Sequence, residues 1–297
     1  TATFDQLGFL YAGSTAFGNQ FPVTTGAYQT QWAGGAGQQN GGTDIAITKY
    51  DTTGTFLVWS TYLGGDGDEM PHSLIVDGND QLVLLGTTGS TDFPTPAGAY
   101  DNSFAGGSTV TPPGLGISYP NGSDMVVARL SADGSALIGS TYLGGTANDG
   151  LNSGVGLKFN YADEVRGEAL LDAQGRVWVV SCTQTQNMPV TPGAAQPAFG
   201  GGSHDGYVAR FNAQLTQLQY ASYLGGSAPD ACYNGELDDQ GRLYVCGGTV
   251  SGDLPASASA VQGSFNGGAA DAFAARLSAN ASSWERLTYW GSSGYDQ

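Results

Sequence analysis

Histidine, the side chain most often used to move protons near neutral pH, occurs only at His72 and His204. His204 stands in the string Ser203-His204-Asp205, which offers a nucleophile, a base and an orienting carboxylate. Neighbouring residues of a strand point to opposite faces, so three consecutive positions are not expected to build the relay. No G-x-S-x-G elbow, H-E-x-x-H pair or phosphate-cradling loop occurs. Cys182, Cys232 and Cys246 form no C-x-x-C pair, which leaves zinc and thioredoxin-like chemistry unsupported. One disulfide between Cys182 and Cys232 and three small buried hydrophobes are both open readings.

Carboxylates carry more weight. The loop after each YLGG holds Asp66, Asp68 and Glu69 in one copy, Asn148 and Asp149 in the next, Asp230 in a third and Asp296 at the end. Hard oxygens on a glycine-rich loop suit calcium, so Asp66, Asp68 and Glu69 are the expected metal site, against the plainer reading of turn formation and solubility. Asp163, Glu164, Glu168 and Glu236 break the repeat pattern. A glycosidase would need two carboxyl groups about 5 to 9.5 Å apart, and these are where to look. Among the aromatics, Trp32, Tyr119 and Tyr161 also lie outside the repeat and are the expected ligand contacts, placed on a surface where a ring can stack on a sugar.

The elements that position these residues follow from internal repetition. YLGG occurs at 62–65, 142–145 and 223–226, with YWGS at 289–292. In the same phase an Asp opens an alternating segment: Asp44 (DIAITKY), Asp124 (DMVVARL), Asp205 (DGYVARF) and Asp271 (DAFAARL). A Pro-centred stretch (FPVTTGAYQ, FPTPAGAYD, MPVTPGAAQ, LPASASAVQ) and an Asp-turn-strand unit (DQLGFLYAG, DGNDQLVLLG, DAQGRVWVVS, DDQGRLYVCG) complete each copy. The copies run over about 1–70, 71–150, 151–231 and 232–297 within one domain. Each reads as four short antiparallel strands, since the period-two alternation is that of half-buried strands and no helical period is sustained. Glycine, 48 of 297 residues, supplies the turns. An all-β propeller of four-stranded blades fits best, with a closed four-bladed ring favoured over part of a larger one, because an open arc exposes an apolar face at each end. The insertions at 108–122 and 146–165 are expected to project from a rim. Tyr62, Tyr142, Tyr223 and Tyr289 recur in phase and are expected in the blade core. Asp44, Asp124, Asp205 and Asp271 are expected to accept backbone hydrogen bonds at strand entrances. Recurrence in every copy speaks for architecture, because a functional site needs only one.

The ordered motifs S-T-Y-L-G-G, V-D-x-x-G/N-x-L-V, D-F-P-T-x-x-G-A-Y and D-x-x-V-A-R-L resemble the SBBP family of bacterial β-propeller repeats over essentially the whole chain. The family name implies seven blades, whereas four repeats are counted. The resemblance implies a secreted or surface-exposed bacterial module for adhesion, binding or scaffolding, including proteins exported by the type IX pathway, and brings no catalytic motif. Composition agrees: a net charge of -17 repels phosphate, which disfavours nucleic acid, and no apolar run is long enough for a membrane helix. The expectation is a non-catalytic extracellular module whose partner is a protein or glycan, within a larger surface assembly. The alternatives are a polysaccharide lyase or glycosidase, or the subunit of a surface filament.

Overall fold

A computed structural model describes residues 1–35, 41–152, 156–159 and 161–296, without the side chains of 161 and 162. The chain is all-β, with sixteen strands in four antiparallel sheets and one short 3-10 helix, Tyr161–Val165, among the described residues. Sheet one holds β1 (Ala2–Phe4), β2 (Leu10–Ala16), β3 (Asp44–Tyr50) and β4 (Leu57–Leu63). Sheet two holds β5 (Glu69–Val76), β6 (Leu82–Thr88), β7 (Asp124–Leu130) and β8 (Leu137–Leu143). Sheet three holds β9 (Glu168–Leu171), β10 (Val177–Thr183), β11 (Asp205–Phe211) and β12 (Leu218–Leu224). Sheet four holds β13 (Asp230–Leu237), β14 (Leu243–Thr249), β15 (Asp271–Leu277) and β16 (Trp284–Trp290). In every sheet neighbouring strands are consecutive in sequence, so each repeat is a meander.

The chain divides into two compact units, Thr1–Gly144 with Asn212–Gln217, and Gly145–Phe211 with Leu218–Gln297. In the first, Tyr11, Ile45, Ile47 and Trp59 on one face of sheet one pack against Leu82, Leu84, Val126 and Ala128 of sheet two. In the second, Trp178, Val180, Val208 and Tyr220 on the corresponding face of sheet three pack against Leu243, Val245, Phe273 and Ala275 of sheet four. The same face, here called A, meets the same opposite face, B, in both units. Burying these side chains contributes on the order of 2 kcal/mol each before conformational entropy is subtracted.

Three expectations change. The sheets are not closed into a ring, so the closed four-bladed arrangement is not what is observed. That expectation rested on the cost of open apolar faces. Face B of sheet one is partly capped by its own loop, with Phe21, Val23 and Trp32 over Ala16, Ala46 and Tyr62, and face A of sheet four carries Arg276 and Arg286. Second, alternation suggested half-buried strands, yet every residue of β6, β7 and β10 is buried. Third, the two insertions do not simply project: Ile117, Tyr119, Leu151 and Leu157 are all buried. Val110 pairs with Tyr119 to fold the first insertion back on itself.

Candidate functional site

The repeated residues form one lock, built four times. Asp44, Asp124, Asp205 and Asp271 are the first residues of β3, β7, β11 and β15, and all are fully buried. Each accepts an amide of the loop before it: from Ala33 at 2.9 Å, Ala105 at 2.7 Å, Gly200 at 2.5 Å and Asn266 at 2.7 Å. The first glycine of YLGG lies against that carboxyl, and a Cβ at Gly225 would stand 2.6 Å from Asp205 Oδ1. The tyrosine hydroxyl ties down the Pro-centred loop. Tyr142 accepts from Phe93 N at 2.8 Å and donates to Ser90 O at 2.9 Å, and Tyr62, Tyr223 and Tyr289 make the same pair of bonds in their copies. All four tyrosines are buried.

An acid closes the loop that follows. Glu69 accepts from Gly65 N, Thr88 and Ser90; Asp149 from Gly145 N, Thr183 and Thr185; Asp230 from Gly226 N, Thr249 and Ser251. Asp296 accepts from the amide and hydroxyl of Ser292. Burial pushes Asp44, Asp124 and Asp230 up to about 6 and Asp205 up to about 7, while Glu69 is held well above the usual carboxyl range, also by burial.

The expected calcium ligands are therefore dispersed among separate hydrogen-bond tasks. Asp66 is exposed, and its amide donates to Asp92 at 2.7 Å; Asp68 is buried and accepts from Thr43 N at 2.8 Å and Ser118 N at 2.7 Å. Among the described residues no group of three or more His, Cys, Asp or Glu side chains is placed to hold a metal ion.

The Ser203-His204-Asp205 string is half what strand geometry implied. Ser203 Oγ does reach His204 Nδ1, at 2.9 Å, so the argument from opposite faces fails for that pair. Asp205 instead takes the Gly200 amide, and His204 is fully buried, its basicity lowered to about 4 by burial. His72 is likewise lowered to about 4 by burial and bonds Thr87 Oγ1 at 2.7 Å. The three cysteines are free thiols; Cys182 and Cys232 are buried and Cys246 is exposed. Of the non-repeated acids, Asp163 pairs with Arg166, Glu164 with Lys158, and Asn234 Nδ2 donates to Glu168 at 3.4 Å.

The aromatic expectation needs one correction. Tyr119 is fully buried, because the inserted hairpin lays it against Gly89, so it cannot stack on a ligand. Trp32 is half-buried and lines a cavity of about 630 Å³ with Thr15, Phe17, Asn19, Gln20 and Phe21. Part of its loop, 36–40, lies outside the described residues, as does the side chain of Tyr161.

Sequence reasoning missed an open groove of about 360 Å³ on face A of sheet four. Tyr244, Cys246, Ala274, Arg276 and Arg286 line it on the strands, with Val261 on its rim. Arg276 lies 5.7 Å from the Tyr244 ring and pairs with Glu285 at 2.6 Å. The readable signal was a substitution within the repeat. The residue opposite the face A cation is Trp59 in copy one, Tyr220 in copy three and Arg286 in copy four. Two cations directly across a ladder repel, which disfavours burying that face under a purely apolar sheet.

No family model matches the chain, and no curated protein does. Among solved structures, a protein of unknown function from Dyadobacter fermentans is similar over 97% of this chain and 67% of its own, at 10% identity and a TM-score of 0.46.

Proposed function

We propose that the chain is a non-catalytic, propeller-type repeat module that works outside a bacterial cell by binding a macromolecular partner. The observation that carries this reading is that the repeated acids and tyrosines, and two of the four non-repeated acids, are already engaged, while Glu236 stands exposed on the sheet-four groove. Asp, Tyr and the loop acid of every copy hold backbone or hydroxyl partners, and Asp163 and Glu164 are ion-paired and buried. The packing of face A on face B in both units is the stacking a propeller uses, and the motif order resembling SBBP repeats points to the secreted setting. Nucleic acid is disfavoured by the charge of -17. The groove on sheet four combines apolar side chains with Arg276, Arg286 and Glu236, a mixture of apolar area and both charges that suits a protein surface.

The test is incubation with neutral and acidic polysaccharides, following both reducing ends and the ultraviolet absorbance of unsaturated products. No turnover above a heat-unfolded control is expected. Turnover lost in Glu236→Gln or Glu168→Gln would replace this reading with a glycosidase or lyase.

A further inference from the structure

The open face of sheet four is one half of an interface that the molecule already builds elsewhere. Three of its positions have counterparts whose partners are visible. Tyr244 occupies the slot of Tyr11 and Trp178, each beneath a cation, Lys49 at 4.7 Å and Arg210 at 5.0 Å. Those two rings are buried by face B of the next sheet, while Tyr244 is 38% exposed. Arg286 occupies the slot of Trp59, whose indole N–H donates to Ala132 O at 2.9 Å in the β7–β8 turn of the next sheet. Within the first unit Gly139, in the same slot, lies against Gln214 and Leu215 of another such turn. Val261 occupies the slot of Tyr28 and Tyr100, whose amides donate to turn carbonyls of Gly134 and Leu215 at 2.8 and 3.0 Å. Val261 is 79% exposed.

All three positions thus ask for the same object: face B of a repeat sheet together with the turn between its last two strands. Sheet one of this chain presents that object with only its own loop over part of it. Phe4 and Leu10 on its face B are 74% and 41% exposed, and its β3–β4 turn runs from Asp51 to Phe56, itself 71% exposed. The slot relation that sets Trp59 on the Ala132 turn would set Arg286 at the turn headed by Asp51. Asp51 is half-buried at the head of this turn, and its carboxyl is held below the usual range by Thr53 and the turn amides. A cation therefore replaces the aromatic where the facing turn offers an acid. We infer that face A of sheet four docks on face B of sheet one of a second copy of this chain, head to tail, with Arg286 beside Asp51.

This inference rests on the binding-module reading, and its test is separate from the polysaccharide assay. Sedimentation equilibrium of the full chain from about 1 to about 200 μM should show reversible self-association. Ala274→Arg blocks the groove from an exposed position, and Leu10→Arg blocks the other face. Each variant alone should lose association while keeping the wild-type circular dichroism and melting midpoint. Mixed, they should form a 1:1 complex that does not grow, because each retains the face the other lacks. Arg286→Glu should weaken association at least tenfold, and in an Asp51→Asn background that loss should shrink. Asn212 fills the Asp51 position in copy three, so Asp51→Asn preserves the turn. A chain monomeric throughout this range, a groove-blocked variant that still self-associates, or a mixture that stays monomeric would overturn the inference. Turnover of a polysaccharide would instead sink the reading beneath it.

Discussion

Replacing Gly225 by alanine tests the lock at its tightest point. The new Cβ would lie 2.6 Å from Asp205 Oδ1 and 2.6 Å from its Cγ. Unstrained contacts sit near ~3.5 Å, so the carboxyl must retreat by roughly 0.9 Å. It is held by the Gly200 amide at 2.5 Å, and retreat breaks that bond. Overpacking costs about 1–3 kcal/mol. Losing a hydrogen bond to a carboxylate adds about 1.5–3 kcal/mol, for a sum near ~3 kcal/mol when the two are partly shared. Backbone strain does not contribute, because Gly225 is not among the glycines with positive φ. The assay is urea unfolding of the full chain followed by tryptophan fluorescence, with Trp178, Trp284 and Trp290 reporting on the second unit. In an Asp205→Ala background the added methyl has room, so Gly225→Ala should cost almost nothing and the cycle should return about 2–3 kcal/mol of coupling. A single-variant cost within ~0.5 kcal/mol of zero, or an equal cost in both backgrounds, would refute the clash.

Three further outcomes follow from the same lock. Tyr142→Phe leaves the Phe93 amide and Ser90 carbonyl without their partner and should cost about 2–4 kcal/mol in chemical denaturation, with Tyr223→Phe matching it in the second unit. Asp44, Asp124, Asp205 and Asp230 keep their protons in the folded chain to about 6 or 7, whereas the unfolded chain releases them near 3.8. Their contribution is therefore complete below about pH 4 and is lost as pH rises through the folded values, so unfolding free energy should fall between about pH 4 and 7 and level off above, and Asp205→Asn should flatten that slope. Calcium and chelator should leave the melting midpoint unchanged, since Asp68 and Glu69 already serve the loops; a saturable rise with calcium would restore a site there.

Much of the architecture was legible because repetition supplied four aligned copies of every strand. The Asp at each strand entrance, the hairpin turns and the tyrosine all fall where the phase of YLGG places them. What the sequence did not disclose is which face of a strand lies next to what. Val127 and Ala274 hold equivalent positions in β7 and β15, one fully buried and one exposed, and nothing in their side chains distinguishes the two environments. Tyr119 looked like a surface aromatic because it lies outside the repeat, in the insertion at 108–122. Its burial depends on a non-local bond, Ser118 N to Asp68 across 50 residues, that no local pattern reveals. The groove escaped notice because Arg286 reads as an ordinary exposed strand residue until its ladder partner, Arg276, and the aromatic equivalents Trp59 and Tyr220 are set beside it.

The central claim is that face A of sheet four is an open surface with a docking role, and the thiol of Cys246 reports on it directly. Cys246 lines the groove and is exposed, while Cys182 and Cys232 are 1% and 0% exposed. Maleimide labelling of the dilute native chain should modify Cys246 quickly and leave the other two until unfolding. Raising the protein concentration should then slow Cys246 several-fold as docking covers the groove, and Leu10→Arg should abolish that slowing. A Cys246 already as inert as the buried pair when dilute, or one whose rate ignores concentration, would contradict the account.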